Sequence, residues 1–233
     1  MRTDVKIFLA SCAIVAAVGC TNTGLHQEVG PPPPPPQTTI KLKGTFCTED
    51  PQTVKYPVKI FFVIDDTGSM QQNDPNQVRY TAAEQLAVAL QDTSAKPAMY
   101  FGALKFSDNG IIPVPLNPAP TPPNFTTSST IFVQGVQNPA FRGPGAGGTP
   151  YRAPLNTTLA TIESDITFDP VLARRTRYVV IFLSDGQPTD GSDTDGTALG
   201  AVDQLVLLKS KAGDVTVNTV VLGGSGEIGR AHV

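Results

Sequence analysis

Residues 58–70 read VKIFFVIDDTGSM, and this stretch decides the fold. Residues 58–64 are almost wholly apolar, whereas the residues that follow them carry carboxylates and hydroxyls. A continuous apolar run, rather than an alternating one, is typical of a strand that is buried on both faces of a parallel sheet. The stretch therefore predicts an inner strand of a parallel sheet, with polar side chains where that strand ends.

Three further segments have the same continuous apolar character and are predicted to be strands of the same sheet. They are residues 98–106, 178–183 and 215–222. Segments with helical spacing lie between them, and strands that alternate with helices indicate a doubly wound α/β domain with a mainly parallel sheet flanked by helices. Residues 107–148 are rich in Pro, Gly, Asn and Thr, and this composition predicts a long loop region that includes no more than short edge strands.

Helices are predicted from their start signals and their apolar spacing. Asp74-Pro75 offers an N-cap and a first helical residue, and apolar residues follow on one face up to residue 91. Thr149-Pro150 repeats this signal before a second amphipathic stretch. A third helix is expected over 197–211, with Gly213 as its C-cap residue.

Composition limits the classes of function. The chain has 233 residues, enough for one sizeable domain with an extension, and its formal net charge is −3. Without an excess of basic residues to neutralise a phosphate backbone, we expect no nucleic-acid partner. Three cysteines exclude a disulfide-rich scaffold and a cysteine-built zinc cluster, and two histidines leave little room for histidine-based catalysis.

The N-terminus has the pattern of an export signal. Arg2 and Lys6 precede an apolar run over residues 7–18, which is shorter than the about 20 residues that a membrane-spanning helix needs. The run ends in Ala17-Val18-Gly19-Cys20, which resembles the lipobox of bacterial lipoproteins. The resemblance implies that residues 1–19 are removed and that Cys20 carries a lipid, with Thr21 favouring the outer membrane of the bacterial cell envelope. An ordinary signal peptide is the alternative.

Residues 20–52 are predicted to be a tether between the lipid and the domain. Pro31–Pro36 is an unbroken proline run, which adopts an extended polyproline II conformation of about 3.1 Å per residue. We interpret it as a semi-rigid spacer that holds the domain away from the membrane. A docking site for a proline-binding module is the alternative interpretation.

The ends of the predicted strands carry the chemistry. In open α/β sheets, ligands bind beyond the carboxyl ends of the strands. Asp65, Thr67 and Ser69 follow the first strand, Asp185 follows the strand at 178–183, and a glycine-rich loop leads to Thr149. Two carboxylates and three hydroxyls can therefore converge at one edge. Such hard oxygen ligands suit Mg²⁺ or Mn²⁺ and do not suit zinc or copper.

This ordered set resembles the metal-ion-dependent adhesion site of the von Willebrand factor A (vWA) domain, and the resemblance covers roughly residues 55–224. It implies that Thr67 and Ser69 ligate Mg²⁺ (or Mn²⁺ or Ca²⁺) directly, that Asp65 and Asp185 act largely through water, and that Thr149 approaches when ligand binds. An Asp or Glu carboxylate of a protein ligand would complete the shell. The implied function is metal-dependent protein binding in adhesion or envelope assembly, and not catalysis.

Two alternatives remain. Asp66-Thr67-Gly68 resembles the motif of aspartic proteases, which would make the chain a hydrolase. Such enzymes are nearly all β, however, and need two active Asp residues from two motifs or two chains, and the sequence has no second motif of this kind. The second alternative is a vWA domain with a purely structural interaction role. Taken singly, Asp185-Gly186 could be a turn and Thr149-Pro150 only a helix cap. We expect Asp66 to point away from the metal and to be solvated.

The C-terminus carries a separate expectation. The vWA resemblance implies a further helix and strand after residues 215–222, so the domain, residues 53–226, is expected to be C-terminally truncated. Residues 228–233 can be back-translated into a common sequencing-adapter string, and we therefore interpret residues 227–233 as an assembly artefact. Cys47 would then have its disulfide partner in the missing part.

Overall fold

The computed structural model describes residues 56–91, 98–121, 124–143, 145–186, 188–191 and 196–222. These residues form one five-stranded sheet with the order β3-β2-β1-β4-β5. The strands are β1 Val58–Asp65, β2 Met99–Ser107, β3 Gly110–Pro113, β4 Arg177–Ser184 and β5 Asp214–Val221. The four predicted strands are confirmed to within one residue at each end.

The sheet is parallel except at one edge. β1 lies in the middle and pairs in parallel with β2 and β4, and β5 pairs in parallel with β4. The short strand β3 pairs antiparallel with β2. Because all parallel strands run the same way, their carboxyl ends meet at one edge of the sheet, and Asp65 is the last residue of β1.

Helices cover both faces of the sheet, as a doubly wound α/β domain requires. The helices are α1 Met70–Asn73, α2 Val78–Gln91, α3 Ser129–Val136, α4 Arg152–Phe168, α5 Pro170–Ala173 and α6 Thr197–Leu207, followed by a 3-10 turn at Leu208–Ser210. Side chains of β1 alternate between the two faces. Phe61 and Val63 pack with α4 and α6, whereas Phe62 and Ile64 pack with α2 and α3.

Two of the three predicted helix starts are wrong by two or three residues, whereas the third helix begins at Thr197 as predicted. α2 begins at Val78 and not at Pro75, since Gln77 has a φ of 54°, outside the helical region. Asp74 still contributes, because its carboxylate accepts hydrogen bonds from the backbone N–H groups of Val78 and Arg79 at 2.7 and 3.0 Å. α4 begins at Arg152, after Thr149-Pro150, with Tyr151 as the N-cap residue.

Two other expectations need correction. The stretch 107–148 contains α3 in addition to β3: the Ser128 side chain accepts a bond from the Ile131 N–H at 3.2 Å, and the helix buries Phe132. Gly213 does not cap α6. Its N–H donates to the Thr176 carbonyl at 3.0 Å, and a Cβ at this residue would lie 3.0 Å from the same oxygen, so glycine permits a close backbone approach here.

Several sequence predictions lie outside the described residues. They concern residues 1–19 with the export signal, Cys20, the tether over 20–52 and residues 227–233. Within the ranges that the structure describes, no helix combines the length and the apolar character needed to cross a bilayer.

Candidate metal centre

The five predicted site residues come together at the carboxyl edge of the sheet. Thr67 and Ser69 lie in the turn between β1 and α1, and Asp185 directly follows β4, the neighbour of β1. Thr149 precedes α4. Thr67 Oγ1 lies 3.1 Å from Ser69 Oγ and 3.4 Å from Thr149 Oγ1, and Ser69 Oγ donates to Asp185 Oδ1 at 2.9 Å. Four side chains thus form one continuous row of oxygen atoms.

Asp65 is the buried anchor of this row. Its side chain is fully buried, Oδ1 accepts from the Thr67 N–H at 2.9 Å, and Oδ2 accepts from Ser184 Oγ at 2.6 Å. Burial raises the pKa of Asp65, with a smaller contribution from the charge of Asp185, whereas the bonds from Ser184 and Thr67 oppose the rise. The contacts orient the turn that carries Thr67 and Ser69.

Asp185 is held on both of its oxygen atoms. Oδ1 accepts from Ser69, and Oδ2 accepts from Asn73 Nδ2 at 2.9 Å. Asn73 is the last residue of α1, so this short helix fixes the carboxylate across the edge of the sheet. Sequence reasoning gave Asn73 no role, because the contact spans 112 positions of the chain.

The oxygen row fits a small divalent cation. Adjacent ligands of an octahedral ion with bonds of about 2.1 Å are about 3 Å apart, and the hydroxyl oxygens of Thr67 and Ser69 are 3.1 Å apart. Asp185 Oδ1 accepts from Ser69 Oγ at 2.9 Å and so lies beside this pair of hydroxyls. Among the described residues, no group of three or more His, Cys, Asp or Glu side chains is gathered in the way that would hold a metal. A cation here would therefore depend on hydroxyl ligands, as the sequence resemblance implies.

The loop that precedes Thr149 approaches β1 closely. The N–H of Ala146 donates to the Asp66 carbonyl at 3.0 Å, and the N–H of Gly68 donates to the Gly147 carbonyl at 2.9 Å. A Cβ on Gly145 would lie only 2.4 Å from the Thr67 carbonyl oxygen. Glycine at this residue is therefore required for the loop to reach the turn that carries the site.

Asp66 is buried and not solvated, contrary to the prediction. Its Oδ1 pairs with Arg79 at 2.7 Å and its Oδ2 pairs with Lys105 at 2.9 Å, while Arg79 also pairs with Asp74 at 3.0 Å. Successive side chains at the end of a strand point to opposite faces, so Asp66 turns away from the five predicted site residues toward α2. Lys105, a cation within an otherwise apolar strand, was the signal in the sequence for this arrangement.

These ion pairs bear on the aspartic-protease alternative. An Asp that activates water needs a free carboxylate oxygen, whereas both oxygens of Asp66 are engaged by cations that are themselves buried. The α/β sheet also differs from the nearly all-β architecture that the alternative requires. The geometry therefore disfavours a hydrolase built on Asp66-Thr67-Gly68.

Tyr151 is a further residue at the site that sequence reasoning missed. Its hydroxyl lies 2.7 Å from Ser184 Oγ and donates to the Gly186 carbonyl. Burial raises its pKa to about 12, so the hydroxyl is neutral at ordinary pH and can donate. Tyr151 and Ser184 therefore connect the segment around Asp185 to the buried carboxylate of Asp65.

Comparisons with known proteins bear on the fold. No protein-family model matches the sequence, and no curated protein matches it. The manganese-loaded TRAP protein of Plasmodium vivax, a vWA-domain protein, superposes with a TM-score of 0.50 at 15% identity. The match covers 73% of this chain and 59% of that one, so the chain spans less than two thirds of this neighbour.

Two other solved structures are more distant. Proximal thread matrix protein 1 of the mussel byssus gives a TM-score of 0.46 at 18% identity, covering 71% of this chain and 38% of that one. The pilus adhesin SpaC of Lactobacillus rhamnosus GG gives a TM-score of 0.43 at 24% identity, covering 59% and 16%. The sheet topology together with the first neighbour defines an α/β fold of the vWA and Rossmann-like kind.

Proposed function

We propose that this chain binds a protein ligand through a divalent cation held at the carboxyl edge of its sheet. The observation that carries the proposal is the continuous row of oxygen atoms from Thr149 through Thr67 and Ser69 to Asp185, with separations of 2.9–3.4 Å. Thr67 and Ser69 would ligate the ion through their hydroxyls, Asp65 and Asp185 would act largely through water, and Thr149 would join when ligand binds.

The set of oxygen ligands also indicates which chemical group the protein ligand would present to the cation. Neutral hydroxyls leave most of the charge of a divalent cation uncompensated, so the ion stays attractive to an added carboxylate. We therefore expect the ligand to present an Asp or Glu side chain. Mg²⁺ is the expected ion, with Mn²⁺ or Ca²⁺ as substitutes, and the manganese-loaded state of the TRAP neighbour supports a divalent metal.

The cellular setting of the proposal comes from the sequence. A lipid on Cys20 and the proline-rich tether would place the domain at the bacterial cell envelope, on the outer membrane, where it would serve adhesion or envelope assembly without catalysis. Fatty-acid labelling of the precursor tests the anchor, because Cys20→Ala should abolish both the label and membrane fractionation. Retained label in Cys20→Ala would refute the anchor alone.

Thermal melting with and without metal tests the cation site. A ligand that binds only the native state stabilises it by about 2.7 kcal/mol at 100 times its Kd, which corresponds to about 5–10 °C in a domain of this size. The wild type should therefore melt higher in Mg²⁺ or Mn²⁺ than in chelator, and Ser69→Ala should lose this difference. Ser164→Ala, on the exposed face of α4, is the matched control and should keep it.

The ligand is tested by affinity capture. Envelope proteins that bind the immobilised chain in Mg²⁺ should elute with chelator. The Ser69→Ala chain is the negative control and should release no such proteins. Identical melting of the wild type with Mg²⁺, with Mn²⁺ and with chelator would refute the cation site. Metal binding without any chelator-released protein would refute the ligand-binding role.

A further inference from the structure

Thr149 depends on its neighbours for its place in the oxygen row. Its side chain is buried, and its Oγ1 lies 3.4 Å from Thr67 Oγ1, the longest separation in the row. It follows a loop rich in glycine, which has little conformational preference of its own. Residues outside the loop must therefore determine the position of Thr149.

Thr189, in the segment after β4, pairs with Thr149 in both directions. The Thr189 N–H donates to the Thr149 carbonyl at 2.9 Å, and the Thr149 N–H donates to Thr189 Oγ1 at 2.7 Å. The adjacent Asp190 accepts a bond from the Arg152 N–H at 3.0 Å, at the start of α4. The segment after β4 thus binds the backbone on both sides of Pro150.

Asp108, directly after β2, binds the preceding residue. Its Oδ2 accepts a hydrogen bond from the Gly148 N–H. A Cβ on Gly148 would lie 2.6 Å from Asp108 Oδ2 and 2.6 Å from Thr189 Oγ1. Gly148 therefore lies between the two side chains, and glycine is the residue that lets both reach consecutive backbone N–H groups.

We propose that Asp108 and Thr189 are positioning residues that hold Thr149 at the cation site, an inference that rests on the proposed function. Neither was a predicted site residue, and both bind the backbone at Gly148 and Thr149. Both side chains lie at the surface, so their removal leaves the core intact. Loss of residues that orient a metal ligand typically weakens metal affinity by about 10- to 100-fold.

The test compares Asp108→Ala, Thr189→Val and Thr189→Ser with the wild type. Hydrogen exchange of the Gly148 and Thr149 amides in chelator reports the positioning itself, and Mn²⁺ titration in excess acetate, which supplies the carboxylate with which Thr149 joins the ion, reports its consequence. Asp108→Ala should accelerate exchange at Gly148, and Thr189→Val should accelerate it at Thr149. Both should weaken Mn²⁺ binding at least about tenfold, whereas Thr189→Ser keeps the hydroxyl and should behave as the wild type.

Matched controls separate this role from general destabilisation. Asp203→Ala removes an exposed carboxylate on α6, and Thr219→Val removes an exposed hydroxyl on β5; both should leave Mn²⁺ affinity unchanged. Wild-type affinity in Asp108→Ala and Thr189→Val would overturn the positioning roles and leave the proposed function standing. A wild type that binds neither Mg²⁺ nor Mn²⁺ would overturn the proposed function itself.

Discussion

The buried ion pair between Lys59 and Asp165 allows a quantitative prediction about stability. Lys59 Nζ lies 2.8 and 2.7 Å from the two oxygens of Asp165, and the Tyr178 hydroxyl donates to the same carboxylate at 2.6 Å. Lys59 and Asp165 are only 3% and 4% exposed. The ammonium also lies 5.0 and 5.3 Å from the ring centroids of Tyr100 and Phe125.

Asp165→Asn should be strongly destabilising, because it removes the negative charge and leaves the Lys59 ammonium buried without its counterion. Breaking one side of a buried pair costs about 3–5 kcal/mol, a large part of a typical domain stability of about 5–15 kcal/mol. The melting temperature should fall by about 6–20 °C. Lys59→Met combined with Asp165→Leu should recover part of this loss, since an apolar pair carries no desolvation cost, while the Tyr178 hydroxyl that is left without its acceptor costs about 1–3 kcal/mol.

Urea unfolding and thermal melts of Asp165→Asn and of the double variant measure the effect. Lys59 lies six positions before Asp65 on β1, about 20 Å along the strand, so the double variant should bind Mn²⁺ with wild-type affinity. A loss below about 1 kcal/mol in Asp165→Asn would refute the reasoning, because it would mean that the pair behaves as a solvated surface pair. A double variant no more stable than Asp165→Asn would refute the charge-based cause.

Two further predictions concern pH and glycine. Burial, with the bond to Asp165 as a second cause, raises the pKa of Tyr178 above its ordinary value of 10.0, so the unfolded state loses this proton first. The contribution of Tyr178 to the free energy of unfolding should be fully present below pH 10 and should fall as the pH rises above it. Urea unfolding at a series of pH values should show a smaller fall in Tyr178→Phe than in the wild type, and an equal fall in both proteins would contradict the prediction. Gly145→Ala should destabilise by about 1–3 kcal/mol and weaken Mn²⁺ binding, because its Cβ would meet the Thr67 carbonyl. Gly200→Ala in α6, where a Cβ meets nothing within 4 Å, is the control and should stabilise by about 0.5–1 kcal/mol; the opposite order of melting temperatures would contradict the contact argument.

The strands and the motif at their ends were predictable because their signals are local. A continuous apolar run marks a strand buried on both faces, and the polar residues that follow it mark the strand's end. Asp65, Thr67 and Ser69 lie within five consecutive residues, so strand and turn chemistry alone place them together. The helix starts were less predictable, because Asp74 binds N–H groups four and five residues onward, beyond the spacing of an ordinary cap.

The partners of the site residues could be read only from the tertiary structure. Asp66 was expected in solvent, and its counterions Arg79 and Lys105 come from 13 and 39 residues away. Asp108 and Thr189 each lie 40 residues from the backbone groups they bind. Such contacts depend on which strands are neighbours and on the face of the sheet from which each side chain projects, and both are set by the packing of the whole sheet. The sequence by itself determined which oxygen atoms stand at the edge, and only the order β3-β2-β1-β4-β5 decided which residues hold them there.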